Sequence, residues 1–165
     1  MKSIFIILTL LNFSMANDLI NTTGIKEDKS ERLQGIDKNE NRIRDDIEAD
    51  LKKTYSNKRE LTAMINLAKI DDVLFQANEM MDIEAIDKFL IERKKAILCI
   101  KLLLNSPNRS SFRNGDFSIN RYENKLQNTE ERKIAFERIK EHYSEDIIYD
   151  NPTEDCGDKE ININY

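Results

Sequence analysis

The chain has 165 residues, with 26 Lys and Arg against 31 Asp and Glu, and a net charge of −5 at neutral pH. That acidic balance gives no reason to expect nucleic acid or an anionic membrane as partner. Two cysteines, one histidine and four glycines also leave no zinc cluster of the usual spacing and no glycine-rich phosphate loop.

Met1 to Ala16 has the pattern of a secretory signal. Lys2 supplies a short positive start, Ile4 to Leu11 is apolar apart from Thr9, and Ser14-Met15-Ala16 places small residues at a cleavage site. The alternative is an N-terminal membrane anchor, but the apolar run falls well short of the ~20 residues a spanning helix needs. Without a cysteine at the junction, a lipid anchor is not expected. Cleavage after Ala16 removes Lys2 and no acid, which takes the net charge from −5 to −6. The expected organisation is a signal peptide at 1–16, a polar segment at 17–36, and a single helical domain at 37–165. The mature protein is expected to be soluble and periplasmic or secreted.

Leu33 and Ile36 offer a little apolar surface ahead of residues 37–48, Asp-Lys-Asn-Glu-Asn-Arg-Ile-Arg-Asp-Asp-Ile-Glu. From Arg44 to Tyr55 a short helix is predicted, with Ile47 and Leu51 one turn apart on its buried face. Asn57-Lys58-Arg59-Glu60 fits a capping box opening the next helix, 58–80. There Leu61, Met64, Ile65 and Ala68 share one face, whereas Ile70, Val73, Leu74, Ala77 and Met81 lie nearly opposite. Either the helix breaks near Asp71-Asp72 or it is buried on both sides; a break or kink is preferred, with Asp71 as N-cap. The helix predicted over 83–105 carries one stripe of Ile86, Phe89, Leu90, Ile97, Ile100 and Leu104 and reads as the central helix. Arg93 interrupts the stripe as a snorkelling or paired arginine.

Residues 105–118 read as a loop, with Pro107 and the turn signal Asn114-Gly115. A short helix is predicted around 118–127. Asn128 and Glu131 are placed as the capping box of a last helix reaching Tyr143, with Ala135, Phe136, Ile139 and Tyr143 on its buried face. The tail from Ser144 is acidic and aperiodic. With no strand pattern and no repeat, the fold class is all-α, a small domain of four to five helices. An EF-hand-like loop precedes the first main helix.

An even pair of cysteines in an exported chain favours a disulfide, Cys99 to Cys156, which would tether the C-terminal tail. Chain-entropy arithmetic gives such a loop ~4 kcal/mol of stabilisation. The alternative is one buried and one exposed free thiol.

Residues 37–48 carry the chemistry. Oxygen-bearing side chains fall at loop positions 1, 3, 5, 9 and 12 as Asp37, Asn39, Asn41, Asp45 and Glu48, and the Ile43 carbonyl falls at position 7. That is the ligand spacing of a calcium loop running into a helix. Two departures stand against it. Position 6, where the sharp turn calls for glycine, is Arg42, and a left-handed non-glycine residue costs ~1–2 kcal/mol. Position 8, ordinarily aliphatic, is Arg44, and no second loop is present to pair with. The alternative is a solvated turn whose Asp45, Asp46 and Glu48 favour a helix N-terminus by ~0.3–1 kcal/mol each.

With these residues in view, the chain resembles a family of small exported bacterial proteins to which no activity is attached. Their shared motif is D-x-N-x-N-G-[IV]-R-D-D-[VI]-E. Asp37, Asn39, Asn41, Ile43, Arg44, Asp45, Asp46, Ile47 and Glu48 match it, and Arg42 replaces its glycine. Cys99, the helix start at Asn128, Thr129, Glu131 and Arg132, and Cys156 also fit the family's looser pattern. The resemblance implies export, a disulfide and a calcium-type loop, and says nothing of catalysis.

His142 is the single histidine and is expected to be a half-buried surface residue. Arg93-Lys94-Lys95 and Arg109/Arg113 read as solvated basic faces, and the sequons at Asn21 and Asn108 as chance matches. Two functional readings follow. One is an exported interaction or structural module with an unidentified protein partner and a single weak calcium site. The other is a small secreted hydrolase or toxin whose catalytic carboxylates the sequence does not single out. The first is preferred because nothing recognisable is set up for catalysis.

Overall fold

The computed structural model describes residues 25–105, 114–142 and 156–163. The signal sequence expected at 1–16, both sequons, Arg109 and Arg113, and the tail up to residue 155 lie outside the described residues.

Five helices and no strand make up the described chain: α1 Asp45–Thr54, α2 Lys58–Met80, α3 Ile83–Leu104, α4 Gly115–Leu126 and α5 Glu130–Glu141. The fold is all-α, as expected. Each helix start from α2 onwards has a side-chain cap that satisfies free backbone N–H groups. Asn57 accepts from Arg59 and Glu60 N–H, Asp82 from Ala85 N–H, Asn114 from Phe117 N–H and Thr129 from Arg132 N–H. Two of these correct the sequence reading. Asn114-Gly115 is the start of α4 and not a turn before it. Thr129, not Asn128, caps α5; the Asn128 side-chain oxygen instead accepts from Arg44 at 3.4 Å and from Arg132 at 2.7 Å.

The larger correction concerns α2. It runs unbroken for 23 residues, or ~35 Å at 1.5 Å per residue. The two opposed apolar faces reflect burial on both sides: Met64, Leu67, Val73, Leu74 and Ala77 are all at most 1% exposed. The central helix is therefore α2, not α3; it packs against α3, α5 and α1, while α4 lies on α3 and α1. Asp71 does not cap anything. It is fully buried, bonded by Arg93 Nε at 2.7 Å and by the Tyr122 hydroxyl at 2.9 Å. Arg93 donates a second bond to Glu123 at 2.6 Å and lies over the Phe136 ring at 4.9 Å. Phe136 meets Phe75 edge-on, with centroids 6.4 Å apart. One polar cluster thus ties α2, α3, α4 and α5 together. Burial pushes the Asp71 and Tyr122 groups up, while Asp71 and Glu123, outweighing burial, hold Arg93 firmly protonated.

The expected disulfide is present, Cys99 to Cys156, with Cα atoms 5.6 Å apart. It holds the segment Cys156–Ile163 against α2 and the end of α3. Gly157, at φ +77°, lies so close that a Cβ would come within 2.5 Å of the Arg59 carbonyl. This close approach covers Leu103, whereas Leu102 stays exposed. A disulfide of this kind belongs to an oxidising compartment. No helix among the described residues is long and apolar enough to cross a membrane.

Candidate functional site

Residues 37–48 fold as a tight loop whose first half is organised by its own side chains. Asp37 accepts from the backbone N–H of Asn41 (3.3 Å) and of Arg42 (2.8 Å). Asn39 accepts from Asn41 N–H at 3.2 Å, and Asn41 from Ile43 N–H at 2.9 Å. These are Asx-type turns, in which a short polar side chain replaces a backbone acceptor. Closing the loop this way forces Arg42 into the left-handed region, at φ +66°. Arg42 therefore takes the conformation that glycine would take more cheaply.

The second half of the loop joins α1. Glu48 accepts from the Asn39 amide at 3.1 Å, the Asn41 amide at 2.7 Å and Lys52 Nζ at 2.8 Å. Partial burial pushes the Glu48 carboxyl up, but Lys52 and the two amides outweigh it, so its pKa falls below the ordinary value. Asp45 accepts from Lys38 N–H at 3.2 Å. Ile43, at loop position 7, is 3% exposed and packs in the core with Ile47 and Leu51. The structure thus brings Asn39, Asn41 and Glu48 into direct contact, with Asp37 fastened to the turn beside them and Asp45 turned to the Lys38 amide. Among the described residues no group of three or more His, Cys, Asp or Glu side chains is placed to hold a metal. A cation here would need the asparagine amide oxygens and the Ile43 carbonyl. Such an all-oxygen set fits a hard ion such as calcium and no soft one.

Behind the loop lies Asp72, on α2. Burial is the main reason its carboxyl is pushed up to about 7; Arg42 lowers it, while Asp37 and Glu79 raise it further.

Sequence reasoning missed what braces the loop. Arg44, the departure at position 8, is 5% exposed. It forms a buried ion pair with Asp46 and donates to the Lys125 carbonyl (2.8 Å) and the Leu126 carbonyl (3.3 Å), closing the C-terminal end of α4. Asp46 in turn accepts from Asp28 N–H at 2.8 Å. Arg132 is completely buried and holds the 25–36 segment by its backbone. It donates to the carbonyls of Asp28 (2.6 Å), Arg32 (2.8 Å) and Leu33 (3.2 Å) and to Asn128 at 2.7 Å. The available signal was position. Arg44 precedes Ile47 and Leu51 on one helical face, and Arg132 precedes Ala135, Phe136 and Ile139 on another, so both belong to apolar stripes. His142, expected half-buried, is exposed at the end of α5.

No family model, no curated protein and no solved structure matches this chain.

Proposed function

We propose that this protein is an exported helical interaction or structural module in which residues 37–48 bind a single calcium ion. The observation that carries the reading is Arg42. A chain without glycine at loop position 6 nevertheless adopts the left-handed turn there, with Asp37 accepting the N–H groups of positions 5 and 6. In this reading Asp37, Asn39, Asn41, Asp45, Glu48 and the carbonyl of Ile43 hold the ion. Calcium would supply no reaction chemistry. It would neutralise Asp37, Asp45 and Glu48 and replace the asparagine N–H bonds that Glu48 accepts.

Export is supported by the charged, apolar and small-residue pattern of Met1 to Ala16 and by the disulfide, and the compartment proposed is periplasmic or extracellular. The partner proposed is another protein. The test is calorimetric titration of calcium into chelator-stripped protein, with Asp37→Ala alongside. Saturable one-to-one binding that disappears in the variant is expected. No heat up to millimolar calcium would leave residues 37–48 as a helix-starting turn and remove the metal from the proposal.

A further inference from the structure

The segment Cys156–Ile163 is held chiefly by its backbone, as the 25–36 segment is by Arg132, but it is fastened in addition by a disulfide. Its side chains add little to the core: Cys156 is buried, and Ile161 and Ile163 are only partly covered. Its backbone is gripped instead. Arg59 donates to the Cys156 carbonyl at 2.9 Å, and Asn66 spans two peptide groups, donating to the Lys159 carbonyl and accepting from Ile161 N–H, both at 3.0 Å. Two ion pairs flank these bonds, Arg59–Asp158 and Lys69–Glu160. Both carboxylates are about half exposed, so neither pair contributes much. Against these contacts stands the entropy of ordering eight residues.

We propose that this segment is a redox-operated strap, fastened by the Cys99–Cys156 disulfide and released when that bond is reduced. The helices do not depend on it, because the buried core is built from residues of α1 to α5, the loop before α1 and Tyr55, and of the strap only the partly buried Ile161 and Ile163 pack against it. Opening is therefore local. It bares a strip of α2 bearing Arg59, Asn66 and Lys69, groups that in the closed state read the main chain and the acidic side chains of an extended segment.

The chemistry requires a dithiol reductant. Its thiolate attacks Cys99 Sγ, the less buried of the two cysteines, forming a mixed disulfide and expelling the Cys156 thiolate, which takes up a proton. The reductant's second thiol then displaces Cys99 as a thiol and leaves the reductant as its own disulfide. Two electrons and two protons pass to the protein.

Hydrogen exchange read by mass spectrometry on the full chain, oxidised and after dithiothreitol, tests the strap. On reduction, amides of residues 156–163 are expected to exchange at least about tenfold faster, while those of α1 to α5 stay within about twofold. A strap that keeps its protection when reduced would overturn the proposal, as would protection lost across the helices in step. Cys99→Ser/Cys156→Ser should reproduce the reduced pattern; if that variant does not fold, the reduced native protein still decides. Asn66→Ala with the disulfide intact should free the Ile161 amide alone. Release of the whole strap in that variant would show that Asn66, and not the disulfide, is the fastening.

Discussion

Asp72 is a carboxyl set among loop charges on the long central helix, and its burial has a consequence that can be titrated. Its folded pKa of about 7 lies above the ordinary unfolded value near 4. The folded state therefore holds a proton that the unfolded state has lost. Stability from this group is complete below about pH 4, falls as the pH rises towards 7, and is flat above that. Asp72→Asn should remove this slope. The variant is expected to exceed the native protein by on the order of 2–4 kcal/mol at pH 8 and to match it near pH 4. Urea unfolding at a series of pH values measures this directly, and parallel curves for the two proteins would contradict it. The charge of Arg42 works against this shift, while Asp37 and Glu79 add to it.

At the scale of elements, the 25–36 segment and the loop are one assembly with the α4–α5 turn, clamped by Arg44 and Arg132. Replacing Arg132 by Leu removes the donor from the Leu33 carbonyl, whereas the Asp28 carbonyl keeps the Asn128 amide at 3.0 Å and the Arg32 carbonyl keeps Gly35 N–H at 3.1 Å. Uncompensated buried acceptors of this kind cost about 1–3 kcal/mol each, less where water can enter. A loss of about 1–3 kcal/mol is expected, together with loosening of residues 25–36, read by urea unfolding and by limited proteolysis. Unchanged stability would mean that water replaces the guanidinium. The helices themselves were legible. Apolar spacing marked α1, α2, α3 and α5, and Asn57 was visible as a cap because it needs only local sequence. The disulfide apart, what escaped were the polar contacts set by distant partners. Asp71 looked like a breaker because Arg93 and Tyr122, which satisfy it, lie 22 and 51 residues away. Asn128 looked like a better cap than Thr129 until two arginines claimed it. The candidate loop was legible for the same reason as the helices, being a local spacing of oxygens, whereas its bracing came from residues up to 104 positions away.

For the molecule as a whole, the disulfide closes a sequence separation of 57 residues, for which chain entropy gives about 4 kcal/mol. Since reduction also frees the strap in the folded state, part of that entropy is recovered there. The measured destabilisation is thus expected to be clearly smaller than ~4 kcal/mol. Urea unfolding with and without dithiothreitol checks this, and a loss at or above that figure would make the bond a staple of the entire fold.

The clamp formed by Arg44 and Arg132 also bears on the order in which the chain can assemble. Arg44 finds its carbonyl partners 81 and 82 residues downstream, and Arg132 finds Asp28 from 104 residues away. Contacts of such separation form late, after the entropy of closing the intervening loop has been met. A polypeptide emerging N-terminus first can build α1 to α3 early, but it cannot lock its leading end until α5 has appeared. Until then the molecule lacks its last bolt, and a chain that must be threaded through a narrow passage before folding would gain from this delay.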